Sequence, residues 1–216
     1  MSDSGAVAAL VRDLADIFTQ RLQSVVTYGD RTSGGPITSL AIVDQLSAAD
    51  LRACAARVQR WQRVGLATPL LLGEREFGRS LDAFPFEFGA ILDDYAVAHG
   101  ADPFLGLSVD AADLRRACEL QARSHLLHLR EAFIETEGRA SDVAALIRRS
   151  AAPLAALLHS IRRLDGSAPV DGVLARVAQA GGKDAALSPD AAQQLFPEYL
   201  EALEQLTHAI DRWERL

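Results

Sequence analysis

The hydrophobic period of this 216-residue chain changes for good near residue 109. Before that point, helical spacing alternates with short β-branched runs. After it, the spacing is helical to the end. A chain of this kind is expected to form an α+β front portion, residues 1–109, and an all-α helical bundle, residues 110–216. The length is enough to bury a real core.

The front portion opens with a helical stripe of Val7, Leu10, Leu14, Phe18 and Leu22 within residues 6–22. The period then shifts to strand. Ser24 to Tyr28 (SVVTY) stops at Gly29, and the polar link Asp30 to Pro36 leads into Thr38 to Val43 (TSLAIV). Residues 47–64 read as one helix, with Ser47 as N-cap, Asp50 three positions on and Gly65 as its stop. Thr68 to Leu72 predicts a third strand, with Pro69 favouring an edge or a strand start. Residues 74–81 suggest a short helix, and Ala83 to Phe88 (AFPFEF) a fourth strand. Gly100 to Pro103 is a turn. The expected front fold is a small mixed sheet of about four to five strands with flanking helices.

Four helices are expected behind it. They cover 110–136, 141–164, 169–180, and a last one opened by Ser188-Pro189, with Ser188 as cap and Pro189 at the first helical position. Gly138 stops the first. Pro153 should kink or split the second, and Pro197 should divide the last. Leu120, Leu127 and Ile134 recur every seven residues along the first.

Composition narrows the function classes. Hydrophobic residues at 49% and charged residues at 24% are ordinary for a globular chain. A net charge of -7 argues against non-specific nucleic-acid binding, which needs clustered cations. The basic pairs Arg115-Arg116, Arg148-Arg149 and Arg162-Arg163 sit in helical patterns and read as solvated helix edges. Cys54 and Cys118 read as two buried thiols rather than a disulfide. Acidic residues precede the first apolar stretch, and no apolar run is long enough to span a bilayer, so a cytoplasmic location without membrane contact is expected.

The order helix, strand, glycine turn, strand, helix, strand, strand, helical bundle resembles the nucleotidyltransferase superfamily. Ser24 to Gly29 resembles the apolar strand and Tyr-Gly turn of that family. The runs Pro69 to Leu72, Phe84 to Phe88, Gly100 to Phe104 and Leu126 to Arg130 look like a bacterial subfamily. The resemblance covers roughly residues 5–165 and rests on order and spacing. It implies that Tyr28, Gly29 and Asp30 form a nucleotide-binding turn whose backbone N–H groups face a triphosphate. It also implies an acid pair on the next strand that holds Mg²⁺, because alternate strand residues share a face.

This chain departs from that pattern. The acid-pair positions fall on Ile37 and Ser39, and no acidic residue lies between Asp30 and Asp44. Asp30 replaces the serine of the turn. A carboxylate about 4 Å from a phosphate charge repels it by about 4 kcal/mol at an effective dielectric of 20, unless a metal bridges them. Glu87 is the residual candidate for the third acid. The expectation is a catalytically degenerate nucleotidyltransferase fold that binds a ligand or an unknown partner. One alternative is an active enzyme that moves a nucleoside monophosphate from an NTP to a small molecule or protein. It would carry Mg²⁺ on a rearranged site built from Asp30, Glu87 and either Asp82 or Asp44. Another is a helical interaction module, which allows a homodimer. Two weaker patterns lie on the first bundle helix. Cys118 and His125 share a stripe that a metal site could use together with His99 or His159. Arg123 and His128 match the Arg-x4-His spacing of a helical nuclease family.

Overall fold

The computed structural model describes residues 3–29, 35–164, 172–181 and 187–213. The chain divides into two compact units, Met1–Asp110 and Ala111–Leu216.

The first unit is a mixed α+β layer. Helix α1 (Asp3–Phe18) buries Ala6, Leu10, Leu14 and Phe18, one residue per turn on a single stripe. A 3-10 turn, Thr19–Arg21, leads into β1 (Leu22–Tyr28), which runs antiparallel to β2 (Thr38–Val43). The sheet order is β3-β2-β1-β4, with β3 at Leu70–Gly73 and β4 at Tyr95–Gly100. The two central strands are buried along almost their whole length, which explains why the runs Val25-Val26 and Leu40 to Val43 are apolar on both faces. β3 lies parallel to β2, and parallel neighbours need a long crossover. Helices α2 (Ala48–Ala55) and α3 (Val58–Arg63) form it. Pro69 immediately precedes this edge strand, where a missing N–H does no harm.

Each sheet face has its own core. On one face, Val25, Ala41 and Val43 pack with the α1 stripe, Trp61 and Leu66. On the other, Val26, Leu40 and Ile42 meet Phe77, Phe88, Ile91 and Phe104. Those last residues come from the loop after β4 and from α4 (Glu74–Phe77) and α6 (Pro85–Asp93); α5 (Ser80–Ala83) lies between the two helices.

Three sequence expectations change here. Residues 83–88 are not a strand. Pro85 starts α6, where its missing N–H and fixed φ suit a first helical turn, and Phe88 and Ile91 then share the buried face. The alternating phenylalanines of AFPFEF imitate a strand period, but Phe84 is more than half exposed. The fourth strand is Tyr95–Gly100 instead. The helix expected over 47–64 breaks at Ala56-Arg57, and the short helix at 74–81 breaks at Gly78-Arg79. The first break sets Trp61 and Arg57 against the buried Asp13 of α1. Trp61 Nε1 donates to Asp13 Oδ2 at 2.9 Å, and Arg57 pairs with Oδ1 at 3.1 Å. Ser47 caps α2 as expected, in a reciprocal box with Asp50.

The second unit is a bundle of α7 (Ala111–Glu135), α8 (Ala140–Leu164), α9 (Val173–Gln179) and α10 (Pro189–Arg212). α8 packs against the other three. Ser188 and Pro189 open α10 as the sequence suggests. Neither internal proline ends its helix: α8 runs through Pro153 and α10 through Pro197. An interior proline costs about 3 kcal/mol, and the long buried stripes of both helices outweigh that. No described helix is long and apolar enough to cross a membrane.

Candidate functional site

The turn after β1 is the first place to look for phosphate binding. Gly29 has φ +82, a left-handed conformation that glycine adopts without strain. Its N–H donates to the carbonyl of Asp94 at 3.0 Å, so it is already committed within the fold. Thr38 Oγ1 donates to the Tyr28 carbonyl and ties the start of β2 to the same turn. Burial raises the Tyr28 phenol above its usual pKa. Asp30 lies outside the described residues.

The acid-pair positions lie on the α1 side of the sheet. Ile37 packs against the core built on α1 and forms a parallel bridge with Leu66. Ser39 stands opposite Thr27 of β1 and is 1% exposed. Its hydroxyl has no hydrogen-bond partner among the described residues. Beside Ile37 a cavity of about 550 Å³ opens between α1 and strands β1 and β4, with Arg12, Asp3, Thr27 and Val97 also in its wall. That volume suits a small molecule. Its one carboxylate among the described lining residues is Asp3, on the helix rather than the sheet.

Glu87 does not join this cavity. It sits exposed in the first turn of α6, and α6 packs on the opposite face of the sheet from α1. Asp82 belongs to α5, and Asp44 follows the far end of β2 from the Gly29 turn. Among the described residues, no group of three His, Cys, Asp or Glu side chains is placed to hold a metal.

The bundle gives each of the remaining candidates its own surroundings, although His125 and His128 line one cavity. Cys118 is fully buried, and desolvation pushes its thiol up to about 12, which suits a core residue. His125 instead bonds Tyr199, Nε2 to hydroxyl at 2.6 Å. Arg123 pairs with Glu119 and Asp211, and His128 Nδ1 lies in hydrogen-bond contact with Glu131 at 3.1 Å, so both members of the Arg-x4-His pair already have partners. The sequence reading missed the His125–Tyr199–Ser150 cluster. Its members come from three helices, and the sequence pattern marks only His125, as a partner for Cys118.

No protein-family model matches the chain, and no curated protein matches it. Among solved structures it is similar to the spectinomycin adenyltransferase of Enterococcus faecialis, solved with ATP and spectinomycin. The identity is 8% and the TM-score 0.48, over 93% of this chain and 98% of that one. A likeness of that size assigns this chain neither a family nor an activity.

Proposed function

We propose that this protein has a nucleotidyltransferase-type fold that binds a small molecule or a partner and transfers no nucleotide. The reading rests on the wall at Ile37. Where the resemblance reserves a metal-holding carboxylate, an isoleucine lines the cavity, and the next same-face position, Ser39, is sealed in the core. An aliphatic wall cannot hold Mg²⁺ beside phosphates, which needs oxygen ligands. The committed Gly29 N–H supports the same reading, because it removes a donor from the expected phosphate cradle. Calorimetry with each of the four ribonucleoside triphosphates, with Mg²⁺ and with chelator, tests it. The expected result is no Mg²⁺-dependent binding. Metal-dependent transfer that Glu87→Ala abolishes would overturn the proposal and restore the active-enzyme alternative.

A second reading, a helical interaction module, is favoured by one observation. Leu120, Leu127 and Ile134 are 72%, 62% and 76% exposed on α7 and follow a seven-residue spacing. Stripes of that spacing suit a partner helix. A strictly monomeric protein in light scattering at high concentration would count against the homodimer form of this reading.

A further inference from the structure

Consecutive residues of β4, Ala96, Val97 and Ala98, all line the cavity beside α1. Ala96 and Val97 are neighbours on a strand and point their side chains to opposite faces, so a cavity that touches both reaches round β4 to its edge. Among the described residues β4 pairs only with β1, which leaves that edge open. Which backbone groups it presents follows from the ladder. The Gly29 N–H donates to the Asp94 carbonyl at 3.0 Å, in register with the pairs Tyr28–Tyr95 and Thr27–Ala96. Antiparallel pairs alternate between bonded and non-bonded. Ala96 therefore turns its N–H and carbonyl toward β1, and Val97 turns both outward. The register shifts after Val97, and such a bulge bends the strand, so the open stretch is short.

The rest of the lining suits a short strand. Its polar groups are Asp3, Ser4, Arg12 and Thr27. Thr27 is 5% exposed, and its hydroxyl makes no hydrogen bond among the described residues. Asp3 and Arg12 make no ion pair among the described residues, and the nine positions between them span about 13 Å of α1. An extended chain covers that length with about four residues. Val7, Val11 and Ile37 form an aliphatic wall between the two charges.

We infer that the cavity binds an extended peptide of about four small aliphatic residues with both ends free. Its backbone pairs with the open edge at Val97. Its ammonium lies at Asp3 and Ser4, and its carboxylate at Arg12. Thr27 donates to a peptide carbonyl, and the peptide side chains meet the aliphatic wall. Strand addition draws its affinity from main-chain hydrogen bonds. The exposed charges at the two ends select length and direction and add little affinity. This guest rests on the reading of the cavity as a binding site that transfers no nucleotide.

The test is a titration of the full chain with the tetrapeptide Val-Ala-Val-Ala, followed by amide NMR. A saturable shift at Val97 is expected, with its N–H gaining protection from solvent exchange. The acetylated and amidated peptide should bind about fivefold more weakly, because both end charges are gone. Arg12→Gln should weaken the free peptide about threefold and leave the amidated one unchanged. Arg12 is exposed, so that variant keeps the fold. No saturable shift, a shift that leaves Val97 unmoved, or equal affinity for the capped peptide overturns the proposal. ATP with Mg²⁺, added to a second portion of the same sample, separates the two readings. Mg²⁺-dependent ATP binding sinks the reading of the cavity and this guest with it, whereas silence toward both sinks the guest alone.

Discussion

Two polar side chains, the buried Ser39 and the partly buried His125, make opposite predictions about their own replacement. Ser39 hides an unpaired hydroxyl in a core, and such a group costs about 1–3 kcal/mol. Ser39→Ala should therefore leave the urea midpoint unchanged or raise it; a clear drop would mean the hydroxyl has a partner. His125 is held neutral. Burial lowers its pKa below the ordinary value near 6.5, and its hydrogen bond to Tyr199 uses the neutral form. The charged and titratable groups around it are Tyr199 on α10, His128 and Glu135 on α7, and Arg149 on α8. Because the folded pKa lies below the unfolded one, the unfolded chain binds the extra proton between the two values. Stability from this group is thus complete above about pH 6.5 and declines as the pH falls toward the folded pKa. Denaturation across pH 7 to 5 should show that decline, and His125→Gln should remove its histidine share.

At the scale of elements, the sheet depends on one glycine and one ion pair. Gly100 closes β4 at φ +76, opposite Ser24 and next to the irregularity in the β1–β4 ladder. A Cβ there would stand 1.9 Å from the carbonyl oxygen of Gln23, and backbone cannot yield as a side chain can. Gly100→Ala should cost about 3 kcal/mol, read as a lower denaturation midpoint. Asp50 joins two elements: its carboxylate takes both arms of Arg21, at 2.7 and 2.9 Å, and closes the N-terminal box of α2 with Ser47. The Arg21 guanidinium holds its carboxyl well below the usual carboxylate range. This contribution is present above the unfolded pKa near 4 and fades as the pH falls toward the folded value. Asp50→Ala should cost about 2 kcal/mol at neutral pH, and that difference should shrink in acid.

The whole molecule comprises two compact units of nearly equal length with separate cores. Residues 111–216 contain α7–α10 entire, with contacts among all four. Expressed alone, this segment should fold into a helical domain with one cooperative melt in circular dichroism. A non-cooperative or unfolded product would show that it needs the front unit.

Periodicity made β1, β2 and the long helices legible, because a buried strand and an amphipathic helix write their spacing directly into the chain. Ser47 and Ser188 were equally plain, since capping is local chemistry. The missing acids between Asp30 and Asp44 needed only the letters. Tertiary packing decided the rest. Pro85 could begin a helix or interrupt a strand, and contact of Phe88 and Ile91 with the sheet chose the helix, which removed Glu87 from the strand it was expected to occupy. Pro153 and Pro197 are helix breakers by local rules, and only the buried length on either side keeps α8 and α10 whole. The His125–Tyr199–Ser150 chain joins residues up to 74 positions apart. No local pattern records such a meeting, because it arises only when three helices pack together.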